Sequence, residues 1–379
     1  MTAPGRQSLV LPDFPWDSLA PFAQTARAHP DGIVDLSVGT PVDPVPPVVQ
    51  AALVATTDTP GYPATYGTAT LRESAAGWLR RRHGVTGADP ANVLPIIGAK
   101  ELVAWLPTLL GLGPGDVVGL PALAYPTYAV GAQLAGATAQ IVDSTTSVGP
   151  APMAMLWVNS PANPHGQVFG VDHLRKLVSW ARDRGTILVS DECYLEFGWS
   201  ADRPLSILHP DVCGSSHAGL LAVHSLSKRS NLAGYRAGFV TGDGELIAEL
   251  LEVRKHAGMI VPAPVQGAMV AALDDDAHVD EQRARYLARR AILWPALVSA
   301  GFSVEHSQGG LYLWATRDED SWASIEWLAK HGILAGPGIF YGQAGRRHVR
   351  IALTATDERV MEAARRLTEA GRVRSSRVL

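Results

Sequence analysis

The sequence predicts an α/β fold: a large unit with a mainly parallel sheet covered by helices, followed by a smaller α+β unit. Between residues 93 and 241, short apolar runs alternate with segments of helical periodicity, the pattern of strands joined by crossover helices. Beyond about Val261 the rhythm changes to one long charged helix, then to strands and helices in a different order. The length of 379 residues exceeds the roughly 250–300 at which a single core stops growing, so two units are expected. The boundaries suggested are an N-terminal segment, 1–44, joining the smaller unit; a large unit, 45–262; and a small C-terminal unit, 263–379.

The start of the chain looks extended, because prolines interrupt it. A helix is predicted over 70–82: Leu71, Trp78 and Leu79 share a face, the basic run Arg80 to His83 suits the negative end of the helix dipole, and Gly84 stops it. Strands are predicted at 93–97, 117–120, 155–159, 186–190, 220–224 and 237–241, with helices at 101–112, 127–135 and 171–184. Such continuous apolar runs suit strands buried on both faces. The smaller unit is expected to hold a helix at 278–300, strands at 302–306 and 311–315, a helix at 321–331, a strand at 348–352 and a helix at 357–370. There is no internal repeat and no low-complexity tract.

A 47% hydrophobic, 18% charged composition is that of a globular enzyme and excludes long disorder. A net charge of −4, with no long stretch of one sign, gives no argument for nucleic acid or an acidic membrane surface. Cys193 and Cys213 are too few to staple the chain and read as reduced thiols, so no disulfide is expected. The opening residues lack a secretory apolar core, and no run approaches the roughly 18 apolar residues of a membrane span. A cytoplasmic protein acting on small molecules is the expectation.

The strongest chemical signal is Ser225-Leu-Ser-Lys228, which follows an apolar strand and precedes Asn231-Leu-Ala-Gly-Tyr-Arg236. A lysine at a strand end, flanked by hydroxyls and followed by arginine, suits an anchored phosphate ester, with Lys228 free to form an imine and Ser225, Ser227 and Arg236 holding the phosphate. The competing reading is a surface loop with an exposed lysine. Upstream, Asp191-Glu-Cys-Tyr194 follows another apolar run; a carboxylate there is placed to keep a pyridine nitrogen protonated, and Tyr194 to reach the ring's phenolic oxygen. A helix cap and a core tyrosine are the plain alternatives.

Asn159-Ser-Pro-Ala-Asn163-Pro-His-Gly166 has a backbone fixed by two prolines and a glycine, so the Asn163 amide can donate to the same oxygen; otherwise it is a turn. Gly98-Ala-Lys100 opens a helix, where the N–H groups of Ala99 and Lys100 can meet a phosphate. Tyr125, before a proline, could stack on an aromatic cofactor. Arg350 lies in a predicted strand, where a buried guanidinium needs either a substrate carboxylate or an internal salt bridge. His209, Cys213 and His217 are spaced like ligands, but Pro210 and Gly214 break such a helix. Asp274-Asp-Asp276 reads as a solvated helix cap.

Taken in order, these residues resemble fold-type-I pyridoxal-phosphate enzymes of aminotransferase class I/II, over about residues 35–354. Within that family the chain is similar to succinyldiaminopimelate aminotransferases of actinobacterial type, on the phrases LPDFPWDSLAPF, VDLSVGTPVDPVP, GAKELVAWLPTLLGLGPGD, HSLSKRSNLAGYRAGF and RKHAGMIVPAPVQ. The resemblance implies pyridoxal 5′-phosphate as cofactor, Lys228 as its covalent anchor, Asp191 at the ring nitrogen, Tyr194 and Asn163 at the ring oxygen, and Tyr125 on the ring. It also implies phosphate contacts from Ser225, Ser227, Arg236, Ala99 and Lys100, and a homodimer in which Tyr62, rather than Tyr66, crosses to the partner's phosphate. Gly39 and Arg350 would flank the substrate α-carboxylate, alongside Asn163. Where many aspartate-specific relatives place an arginine for the distal acid, this chain has Lys255, His256 and Ala257, leaving Lys100 as the candidate; Asp43 and Arg229 are without a role. A carbon–sulfur β-lyase shares the same carbanion chemistry, and a cofactor-sensing regulator would need a DNA-binding module for which the chain before Asp35 is too short.

Overall fold

The computed structural model describes residues 10–375, apart from 143, 145, 147, 150, 151, 201 and 202. A short strand β1 (Val34–Asp35) precedes the seven strands of the main sheet: β2 (Val93–Ile97), β3 (Val117–Leu120), β4 (Thr138–Ile141), β5 (Met155–Asn159), β6 (Ile187–Asp191), β7 (Leu220–Ser225) and β8 (Ala237–Gly242). Their order is β2-β8-β7-β6-β5-β3-β4. All neighbours run parallel except β8, which is antiparallel to both β2 and β7. The chain continues through β9 (Ser303–Glu305), β10 (Tyr312–Thr316), β11 (Ile333–Leu334), β12 (Gly336–Pro337) and β13 (His348–Ala352). A four-stranded antiparallel sheet has the order β12-β13-β10-β9, and β1 pairs with β11.

One apolar core packs helices 69–83, 171–184 and 263–274 on one face of the main sheet; a second places helices 99–109, 127–135 and 244–257 on the other. A third core fills the space around the four-stranded sheet and helices 277–299, 321–330 and 357–375. Helix Ala69–His83 starts where Thr68 accepts the Leu71 N–H and ends at Gly84 in the left-handed region, φ 65°.

The structure holds elements that the sequence expectations did not include. The start of the chain is not merely extended: Ala20–Arg27 and Pro47–Ala55 are helices, with prolines in their first turns, where a missing N–H breaks no helical bond. The edge strand β4 was not expected, because its exposed, mixed residues lack an apolar run. A boundary at 262/263 cuts off helix Ala263–Asp274 from the elements it packs against: Val265, Ala268, Met269 and Leu273 lie in the core shared with Leu71, Ala75 and Trp78.

Candidate active site

The carboxyl ends of adjacent strands β5, β6 and β7 bring Asn159, Asp191 and Ser225 to one rim of the sheet. After Ser225 the chain makes a single helical turn, Leu226–Arg229, in which the Ser225 hydroxyl accepts the Ser227 N–H at 3.1 Å. Lys228 projects from this turn. Burial pushes its ammonium down to about 8; Cys193 opposes that shift, while the positive Arg350 and Arg236 add to it. The surface-loop alternative for Lys228 does not hold, because the turn is packed: Leu226, Ser227 and Arg229 are buried and Lys228 itself is half-buried.

Arg236 has a left-handed backbone, φ 56°, and its guanidinium lies against Gly98, where a Cβ would overlap it. Gly98 itself has φ 76° and opens the eleven-residue helix Ala99–Leu109 with no side-chain cap. The N–H groups of Ala99 and Lys100 therefore stand at the positive end of that helix beside a guanidinium, a site built for an anion. Glu101, in the same first turn, is held by Arg254 at 2.9 Å, so the arginine of helix 244–257 is committed to an internal pair.

Asp191 is buried, and both carboxylate oxygens are occupied: Tyr128 donates to Oδ2 at 2.7 Å and the Cys193 N–H to Oδ1 at 3.1 Å. Asn159 Nδ2 donates to the Asp191 carbonyl at 2.8 Å and its Oδ1 accepts the Asn163 N–H at 2.7 Å, which ties the Asn163 loop to the Asp191 strand. Tyr125 meets Tyr128 edge-on at 5.9 Å.

The other wall comes from the four-stranded sheet. Arg350, 3% exposed, donates from Nη1 to Asn163 Oδ1 at 2.9 Å and from Nη2 to the Ser37 carbonyl at 2.8 Å. Its guanidinium carbon lies 3.9 Å from the Tyr312 ring centroid and 4.9 Å from that of Tyr341. Among the described residues it has no carboxylate partner, so the internal salt bridge weighed from the sequence is not what holds it. The Tyr194 hydroxyl lies 3.0 Å from that of Tyr312, and a Cβ on Gly39 would overlap the same Tyr312 hydroxyl. Glycine at 39 thus lets the Val38–Thr40 backbone close onto the tyrosine pair.

Two candidates are placed differently from the rest. The Lys100 side chain is exposed, with its ammonium 5.2 Å from the Phe14 ring centroid. Tyr62 is 99% exposed, outside the helices that flank it. Tyr312, Tyr341 and Tyr128 were not singled out as site residues. Tyr128 left a usable signal, since it stands in the same short aromatic segment, three places after Tyr125; Tyr312 and Tyr341 look like ordinary core aromatics in the sequence. Asp43 now has a place: Arg289 grips it at 2.6 and 2.8 Å, and Gln282 bridges it at 2.7 Å to Asn231, in the loop after Lys228, at 3.0 Å. Arg229 is buried against Trp78 at 5.0 Å and lies 3.9 Å from Glu196.

This constellation joins an anion cradle, a desolvated amine, a buried carboxylate and a buried guanidinium, and residues 31–367 match the family Aminotransferase class I and II. The chain belongs to that family. A probable aminotransferase of Mycobacterium tuberculosis is 65% identical to it over 366 residues, covering 97% of this chain and 87% of the relative. The 4-dedimethylamino-4-oxo-anhydrotetracycline transaminase of Streptomyces rimosus is 62% identical over 358 residues, covering 94% and 99%. Among solved structures, a probable N-succinyldiaminopimelate aminotransferase from Thermus thermophilus is similar at TM-score 0.84 and 29% identity, covering 94% of this chain and 100% of that one.

Members of the family use pyridoxal phosphate, and the residues of this aminotransferase fit it. The uncapped helix at Gly98 and the Arg236 guanidinium suit a phosphate, Lys228 offers an amine for the aldehyde, and Asp191 offers an anion for the ring nitrogen.

Proposed function

We propose that this aminotransferase moves an amino group between an amino acid and 2-oxoglutarate, with N-succinyl-diaminopimelate as the donor and lysine biosynthesis as the setting. The observation that carries the reading is Arg350: a guanidinium this deeply buried, with only neutral partners, gains its counter-charge from a substrate α-carboxylate. Gly39 and Asn163 flank the same place. Lys100, freed from Phe14, is the candidate for a distal acid. The whole-chain likeness to diaminopimelate-type relatives supports the choice of donor.

Bound pyridoxal phosphate supplies the electron sink for the bond broken at the substrate's Cα. Lys228 Nζ, which loses its proton near pH 8, takes the Cα proton and later gives it up. Asp191 faces the ring nitrogen and holds its proton, while Asn163 and Tyr194 face the ring oxygen. Tyr125 covers the ring. Ser225, Ser227, Arg236 and the N–H groups of Ala99 and Lys100 hold the phosphate. Tyr62 of a second copy completes that cradle in a cytoplasmic homodimer.

A second reading has its own support. The Streptomyces rimosus relative, 62% identical, is named for a cyclic 4-oxo substrate. An aromatic run from Tyr341 through Trp16, 6.2 Å away, to Phe14, a further 5.5 Å, would suit a flat, bulky acceptor.

A donor panel with 2-oxoglutarate, containing N-succinyl-diaminopimelate, aspartate, kynurenine and glutamine, and an acceptor panel with a polycyclic ketone decide between the two. Turnover of N-succinyl-diaminopimelate well above the other donors is expected. Arg350→Ala should raise KM for carboxylate donors roughly 100-fold and leave the cofactor's absorbance in place. Loss of the cofactor in that variant would contradict the assignment.

A further inference from the structure

We infer that Tyr128 is a positioning residue for the reaction: its phenol fixes the Asp191 carboxylate and sets how much negative charge that carboxylate presents to the cofactor ring. The inference rests on the proposed role of Asp191 at the ring nitrogen, and it adds a residue to which that reading gives no part.

The geometry is specific. Tyr128 Oη donates to Asp191 Oδ2 at 2.7 Å, and both side chains are buried. The Tyr128 ring lies flat on Trp157, itself buried, with centroids 4.7 Å apart and planes 15° from parallel. Trp157 stands on β5, next to the strand that carries Asp191, so the phenol is held from a neighbouring strand rather than by a mobile loop. The Cys193 N–H holds the other carboxylate oxygen. With one fixed donor on each oxygen, the carboxylate plane cannot turn without breaking a bond.

Helix Thr127–Ala135 carries this tyrosine in its first turn, and Tyr125 stands just before its Pro126 cap. One short segment therefore presents both the ring proposed to cover the cofactor and the donor that sets its counter-charge, with the two phenols edge-on. Burial and the adjacent Asp191 charge push the Tyr128 phenol well above its ordinary range, so it remains a donor at every working pH. A neutral donor on a carboxylate draws off part of its negative charge. Removing that donor concentrates the charge beside the cofactor, which favours the cofactor's protonated forms, and it frees the carboxylate to rotate.

Tyr128→Phe keeps the ring on Trp157 and removes only the hydroxyl. In the holoenzyme the pH midpoint of the bound cofactor's visible absorbance is expected to move up. We also expect kcat to fall about tenfold with KM little changed, and the melting temperature to stay near that of the wild type. Tyr128→His, which can donate from a ring nitrogen, should lie between the two in both readouts. Midpoints equal to wild type in both variants overturn the inference, and so does a loss of kcat that merely follows a loss of folded protein. Asp191→Asn, measured in parallel, separates the levels. If it keeps wild-type midpoint and turnover, the role of Asp191 itself falls; if it loses both while Tyr128→Phe is unchanged, only the role of Tyr128 falls.

Discussion

At the scale of single residues, the chemistry depends on a lysine whose proton is easy to remove. Burial lowers the Lys228 ammonium to about 8, against 10.5 for an exposed lysine. Only the neutral amine attacks an aldehyde. The rate at which cofactor-free protein takes up pyridoxal phosphate should therefore rise with pH through an inflection near 8 and level off above it. Stopped-flow absorbance measures this directly, and an inflection above 10 would contradict the burial of Lys228. Residue chemistry was the most legible part of the site: Asn163, Asp191 and Lys228 each follow an apolar run that ends at the sheet rim, and chemistry at strand ends is what a parallel sheet offers. The contact of Arg236 with Gly98 was not legible, because the two are brought together only by the antiparallel pairing of β2 with β8.

Elements supply the rigidity that those residues need. The loop after β6 is locked to helix Ala69–His83 through Glu196, which accepts from Trp78 at 2.9 Å and from Arg82 at 3.0 Å, with Arg229 close by. Burial alone would raise the Glu196 carboxyl, but His83, Arg229 and Arg82 hold it well below the usual carboxylate range. Glu196→Gln leaves two buried guanidinium groups short of negative charge and should lower unfolding stability by roughly 3 kcal/mol. Denaturant titration checks this, and an unchanged midpoint would mean that the cluster is not a stabilising clamp. The strands of the main sheet were readable because their apolar runs are continuous; β4, the helices before residue 56 and the two-residue pairing of β1 with β11 were not. Short or exposed elements owe their structure to what they pack against rather than to local pattern.

Across the whole molecule, the segment from Ser37 to Pro44 ties the four-stranded sheet and helix 277–299 to the reactive loop. The Ser37 carbonyl accepts from Arg350, the Val38 carbonyl accepts from Thr354 at 3.1 Å, and Asp43 and the Pro44 carbonyl connect to Arg289 and Asn231. No sequence pattern announced this strap, since its partners lie hundreds of residues away. Among the described residues no helix is long and apolar enough to cross a membrane. Tyr62, 99% exposed in the single chain, is the residue proposed to reach a second copy. Tyr62→Phe should weaken cofactor affinity about tenfold without changing the mass measured by light scattering. Equal affinity in the variant would remove Tyr62 from the phosphate cradle.

The most direct test of the central claim is chemical trapping. Holoenzyme reduced with borohydride, digested and sequenced by mass spectrometry should carry the pyridoxyl mass on the peptide that contains Lys228. The same mass on a peptide holding Lys100, Lys176, Lys255 or Lys330, or on none, would contradict the account.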